Sequence, residues 1–217
     1  MNERIYNIAQ IAYSFVETVE HTYKSVIDVI RDGTPGQLVE CGVAAGGQIA
    51  AMQYALEVMN SSREILAIDS FEGIPLGNTL DGEQPGIGAF THDPTLPLSQ
   101  RLISSGISVH SVDNVIENLN NLNLSHENII FIKGWFQETL PLLTLTNIAL
   151  LRLDGDLYES TEVCLKYLYP KVSKNGIVII DDYALRGCNQ AVKDYFKDKL
   201  PKMYEVKGGG GPVWFKK

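Results

Sequence analysis

Cysteine is scarce in this sequence. Cys41, Cys164 and Cys188 are the only three in 217 residues, and no two fall in CxxC spacing. That excludes a disulfide framework and a thiolate metal motif, and it suits a reducing compartment. Histidine is scarce too: His21, His92, His110 and His126 have no spacing that suggests a ligand set. Basic residues number 18 against 26 acidic ones, for a formal net charge of −8, and no Lys/Arg cluster occurs. Nucleic acid and anionic membranes are therefore poor partners, and a small neutral acceptor fits better. No apolar run approaches the ~20 residues of a membrane-spanning helix. The first fifteen residues lack the basic and continuous apolar regions of a signal peptide, so the expected compartment is the cytoplasm. Internal repeats are missing, and Gly208 to Gly211 is the one low-complexity stretch.

Hydrophobic residues make up 45% of the chain, ample for a packed core. Residues 4–30 carry apolar positions at helical spacing (Ile8, Ile11, Ala12, Phe15, Val16, Val19) and stop at Asp32-Gly33-Thr34-Pro35-Gly36. The division expected is an N-terminal helical segment, 1–36, that packs on the core or a subunit neighbour or covers the substrate, and a main domain, 37–217. Within the latter, β-type runs at 37–41, 64–69, 128–133, 148–154 and 177–181 alternate with helical stretches near 48–60, 112–121, 160–168 and 189–199. Such alternation predicts an α/β fold, a parallel sheet with helices on both faces. Residues 203–207 and 212–215 read as a hairpin closing one sheet edge. Residues 73–97, rich in Gly, Pro, Asp and Thr, form a long aperiodic insert that reads as a mobile lid.

Three constellations carry chemistry. Leu38-Val39-Glu40-Cys41-Gly42-Val43-Ala44-Ala45-Gly46-Gly47 is a buried strand running into a glycine-rich turn and a helix start, where the backbone can approach a ligand closely. It matches neither GxGxxG nor a P-loop, and a plain tight turn would look the same. The next strand ends in Asp69, placed to accept hydrogen bonds from ribose hydroxyls, or else to cap a turn. Glu40 suits a cationic cofactor such as S-adenosyl-L-methionine better than a pyrophosphate. Finally, one strand ends in Asp154-Gly155-Asp156 and a later one in Asp181-Asp182. If these strands are neighbours, four carboxylates meet at one rim, and oxygen-only ligands of that kind favour Mg²⁺, Ca²⁺ or Mn²⁺. Helix capping is the alternative for any one of them. Asp154 and Asp156, two apart, could both be ligands; Gly155 between them would let the chain turn and free Asp156. Cys188, near a helix start, reads as packing. Trp135-Phe136 is either core or a surface for a flat adenine.

Together, Val39-Glu40-Cys41-Gly42-Val43, Ile68-Asp69-Ser70-Phe71-Glu72-Gly73-Ile74-Pro75, Lys133-Gly134-Trp135-Phe136-Gln137-Glu138-Thr139-Leu140-Pro141, Leu151-Arg152-Leu153-Asp154-Gly155-Asp156-Leu157-Tyr158-Glu159-Ser160-Thr161 and Ile179-Ile180-Asp181-Asp182-Tyr183 resemble the macrocin O-methyltransferase family. The resemblance implies a class I methyltransferase fold, Rossmann-like, with seven strands of which the last is antiparallel. It implies a soluble, S-adenosyl-L-methionine-dependent O-methyltransferase acting on sugar hydroxyls of natural products or glycans. Asp154, Asp181 and Asp182 would bind Mg²⁺ or another hard divalent cation, and Asp156 would be the general base. Glu40, Gly42, Gly46, Asp69, Ser70, Gly134 and Trp135 would form the cofactor site, and a homo-oligomer is expected. Rival readings are a catechol-like acceptor, an NAD-dependent oxidoreductase argued from the glycine turn and Asp69, and a non-catalytic, metal-stabilised scaffold.

Overall fold

The computed structural model describes residues 3–82, 93 and 95–217. The N-terminal segment is a helix pair, α1 (Glu3–Ala9) and α2 (Val16–Arg31). In α2, Val19, Thr22, Val26 and Val29 recur at helical spacing and are all buried, so one face of the helix belongs to the core. Gly33, at φ +64°, ends it, and the amide of Thr34 bonds back to the carbonyl of Val29.

Strands and helices then alternate: β1 (Gln37–Cys41), α3 (Gly47–Val58), β2 (Ile65–Asp69), α4 (Leu98–Arg101), α5 (Val112–Asn121), β3 (Ile129–Lys133), α6 (Phe136–Thr139), β4 (Ile148–Leu153), α7 (Tyr158–Leu168), β5 (Val172–Ile180), α8 (Arg186–Phe196), β6 (Tyr204–Glu205) and β7 (Val213–Lys216). They build one seven-stranded sheet of order β3-β2-β1-β4-β5-β7-β6. β1 to β5 are mutually parallel, whereas β7 runs antiparallel to β5 and pairs antiparallel with β6. This is the sheet that the resemblance implies, with the C-terminal hairpin at its edge. Strand order reverses between β1 and β4, and open α/β sheets bind ligands beyond the carboxyl ends of such a pair.

Because side chains alternate across a strand, the register sorts residues by face. Glu40 lies opposite Arg152, Arg152 opposite Ile179 and Ile179 opposite Trp214. That row points to the face covered by α1, α2, α3 and α5, where Ile5, Ile8, Val26 and Ile49 pack. The other face is covered by α7 and α8 around Leu151, Leu165, Val178 and Val192. Strand β5 starts earlier than the sequence suggests, because its first half carries the exposed Lys174 and Asn175 (the latter at φ +66°).

The insert after β2 begins in fixed backbone. The amide of Ile74 bonds to the carbonyl of Ile107, that of Leu76 to Ile103, and that of Ser105 to Ile74. Asp81 accepts from the amide of Asn78 through one oxygen and from the amide of Tyr158, at the start of α7, through the other, each at 2.7 Å. The centre of the expected lid, residues 83–92 and 94, lies outside the described residues. Among the described residues, no helix is long and apolar enough to cross a membrane.

Candidate active site

The glycine turn is shaped by backbone that ordinary residues resist. Gly42 stands at φ +90°, and a Cβ there would lie 1.7 Å from the carbonyl oxygen of Asp154. Gly46, at φ +85°, leads into α3. Asp69 holds this turn from the neighbouring strand: its Oδ2 accepts the amides of Val43 (2.7 Å) and Ala44 (3.3 Å), and its Oδ1 accepts the amide of Phe71 (2.7 Å) and the Ser70 hydroxyl (3.4 Å). The Asp69 carboxylate thus fastens the ends of β1 and β2 to each other, and its carbonyl accepts the amide of Gly134 from the end of β3. Trp135 follows, and Phe136 opens α6.

Strands β4 and β5 deliver the acids. The amide of Asp154 bonds to the carbonyl of Cys41, and that of Asp181 to Leu153, so both side chains continue one staggered rim. Asp154, Asp181 and Asp182 can each offer one oxygen such that the three atoms lie within 4.8 Å of one another. Asp156 is outside that set. The expectation that Gly155 makes the turn is corrected: Gly155 keeps an ordinary backbone, and Asp156 itself takes φ +58°. The amide of Leu157 bonds to the carbonyl of Gly155 across it, which is a γ-turn, rare and strained for a side-chain-bearing residue. Gly155 instead lets the start of α7 pack closely: a Cβ there would sit 3.0 Å from that of Ser160, which would have to give by a few tenths of an ångström.

Beneath the rim lies Arg152, wholly buried. Its guanidinium reaches Glu40 Oε1 at 3.0 Å, Asp154 Oδ2 at 2.6 Å and Asp181 Oδ1 at 2.5 Å. Burial alone would lower its pKa, but the three carboxylates outweigh that and hold the guanidinium charged. Burial pushes Glu40 up to about 8, against the pull of Arg152, and Asp181 up to about 6. Asp156 is pushed up to about 7, by burial first and then by Asp154 and Asp181, and Asp182 is raised for the same reasons. Five acids with one guanidinium among them carry surplus negative charge that only partial protonation or a cation relieves. An all-oxygen donor set of this size fits a hard divalent ion.

A cavity of about 250 Å³ joins the two halves of the site. Gly42, Asp69, Ser70 and Trp135 line one end, and Asp154, Asp156, Asp181 and Asp182 the other. Glu40, Gly46 and Gly134 do not line it: Glu40 is 1% exposed and faces Arg152, and the two glycines shape backbone behind the wall. Three contributors escaped the sequence reading. Arg152 stood inside a quoted motif without a role, although a lone Arg in a strand otherwise apolar and two residues before an acid is a usable signal. Ala12 and Tyr13, between α1 and α2, also line the cavity, and Ala12 packs where Gly47 leaves no room for a Cβ. Cys188 is buried packing, its thiol pushed up by that burial.

The sequence profile of the Macrocin-O-methyltransferase (TylF) family matches residues 7–203. Among curated proteins, the chain is 38% identical over 170 residues to an 8-demethyl-8-(2,3-dimethoxy-alpha-L-rhamnosyl)-tetracenomycin-C 4'-O-methyltransferase of Streptomyces olivaceus, covering 77% of this chain and 60% of that one. It is 37% identical over 182 residues to a demethyldecarbamoylnovobiocin O-methyltransferase of Streptomyces niveus, covering 83% and 65%. The chain therefore spans less than two thirds of either relative. The solved structure of the O-methyltransferase NovP superposes with a TM-score of 0.75 at 34% identity, over 93% of this chain and 80% of that one.

Proposed function

Because the chain belongs to the Macrocin-O-methyltransferase (TylF) family, we propose that it transfers the methyl group of S-adenosyl-L-methionine to a sugar hydroxyl on a natural product or glycan, with Mg²⁺ or another hard divalent cation bound by Asp154, Asp181 and Asp182. The observation that carries this reading is the shared cavity: the turn held by Asp69 and the acid rim open into one space. The sugar acceptor is supported by the rhamnosyl group in the name of the tetracenomycin relative.

In this reading Gly42, Asp69, Ser70 and Trp135 bind the methyl donor at one end, while Glu40, Gly46 and Gly134 support that end from behind. Asp156 takes the hydroxyl proton as the acceptor oxygen forms its bond to the methyl carbon and the carbon–sulfur bond breaks, leaving S-adenosylhomocysteine. A hard cation bound at the rim supplies Lewis-acid activation, lowering the pKa of a hydroxyl held there. The cavity walls hold donor and acceptor in register, a proximity effect of several kcal/mol.

Purified protein, stripped of metal and given methyl-labelled donor, is assayed with glycosides, free sugars and catechols, each with EDTA or with added Mg²⁺. The expected outcome is labelled glycoside, none in EDTA, and recovery with Mg²⁺. Labelling of catechols alone would replace the acceptor class, and full turnover after metal removal would remove the cation.

A further inference from the structure

Each carboxylate of the Asp154, Asp181 and Asp182 set already spends one oxygen on this chain. Asp154 gives Oδ2 and Asp181 gives Oδ1 to the Arg152 guanidinium, and Asp182 gives Oδ2 to the backbone N–H of Asp156 at 2.8 Å. Arg152 is in turn held from below by Glu40, which is as deeply buried and lies opposite it in the strand register. The guanidinium is planar and rigid, so two nitrogens fix two carboxylates at set orientations, as an ammonium cannot. From these contacts we propose that Arg152, anchored by Glu40, is a positioning residue that leaves Asp154 and Asp181 one free oxygen each and so biases the site toward a small octahedral ion over calcium.

The selectivity follows from coordination chemistry. Ca²⁺ gathers six to eight oxygens and readily takes carboxylates in bidentate fashion, whereas Mg²⁺ demands near-ideal octahedral geometry and keeps several waters. Three carboxylates limited to one oxygen apiece supply half an octahedron and leave the rest to water and acceptor. Bidentate binding by Asp154 or Asp181 would require the guanidinium to release that oxygen, giving up one of the three buried charge-assisted hydrogen bonds that hold it, which is costly. The preference thus comes from residues behind the ligands.

This rests on the reading of the acid set as a divalent-cation site, and the experiment separates the two. Calorimetry on metal-free protein measures Mg²⁺ and Ca²⁺ affinity for wild type, Arg152→Lys and Glu40→Gln, with folding followed by thermal melting. Wild type is expected to prefer Mg²⁺. Arg152→Lys keeps the charge but loses the fork, and should lower Mg²⁺ affinity by about 10–100-fold, the usual cost of losing a residue that supports metal ligands, and Ca²⁺ affinity by less, so that the Mg²⁺/Ca²⁺ ratio moves toward calcium. Glu40→Gln should shift it the same way by a smaller factor, and decides the matter if Arg152→Lys does not fold. A wild-type ratio retained in whichever variant folds overturns the role of Arg152 while leaving the cation site intact. If wild type binds neither ion, the cation reading falls and the role of Arg152 with it.

Discussion

The backbone N–H of Asp156 donates to Oδ2 of Asp182 at 2.8 Å, joining the proposed base to a proposed cation ligand through main chain and leaving the Asp156 carboxylate out of the bond. Asp156→Asn therefore preserves the γ-turn and the hold on Asp182 while removing the proton acceptor. The variant is expected to bind donor and cation as wild type does and to lose ~10²–10⁴-fold in kcat. Part of the rate should return as pH is raised and the acceptor hydroxyl ionises without help. Loss of cation affinity, with kcat restored by excess Mg²⁺, would make Asp156 a ligand.

Gly42→Ala tests the closest approach in the site. A Cβ there would stand 1.7 Å from the carbonyl oxygen of Asp154 on a backbone at φ +90°, and β1 and β4 would have to part to admit it. The expected loss is more than about 4 kcal/mol, or no soluble protein. Gly106→Ala, also at positive φ but with nothing within 4 Å, is the control and should cost only about 1–2 kcal/mol. Equal melting temperatures for the two variants would show that the β4 end yields freely.

Asp69→Ala removes the acceptor for three amides and so should cost stability as well as cofactor affinity. A hydrogen bond to a charged group contributes about 1.5–3 kcal/mol, and donor binding should weaken by about that much. A lower melting temperature with an unchanged dissociation constant would confine Asp69 to holding the turn.

His21 should make folding pH-dependent. Burial first, then Arg152 and Lys24, lower its pKa to about 4 from 6.5. Between those values the unfolded chain binds a proton that the folded chain refuses, so stability falls as pH drops from 6.5 toward 4. The loss from this one group is roughly 2–3 kcal/mol. His21→Phe keeps a ring against Trp214 and should lose less stability over the same window in urea titrations; parallel curves would remove His21 from the acid response.

Much of this was legible because buried parallel strands announce themselves as short apolar runs and end where polarity returns. β1 and α5 fall where the sequence places them, the latter because Ser111 and Asn114 form a reciprocal cap. The convergence of Asp154 with Asp181 and Asp182 was legible for the same reason, as strand-terminal acids on neighbouring strands. The early start of β5 was not, since Lys174 and Asn175 point to solvent and break the apolar signal. The distinction between Glu40 and the cavity-lining residues was also hidden. It depends on Arg152 lying opposite Glu40 on the same face, which needs the strand order β1-β4 as well as the sequence. Asp156 at φ +58° could not be read beside a glycine, which is the residue ordinarily given such backbone.

Ala12 and Tyr13 form part of the cavity wall, and Asp181 and Asp182 form another part, at opposite ends of the sequence. The wall is therefore incomplete until the chain through Asp182 has been made and folded. A chain emerging from the ribosome N-terminus first can bury α2 against α3, yet it owns no complete reagent chamber until β5 has docked beside β4. On the proposed function, half-made chains cannot sequester the methyl donor or trap a cation among these acids. On that reading a lesion that stalls β5 is expected to silence the site without touching a residue that contacts the reactants.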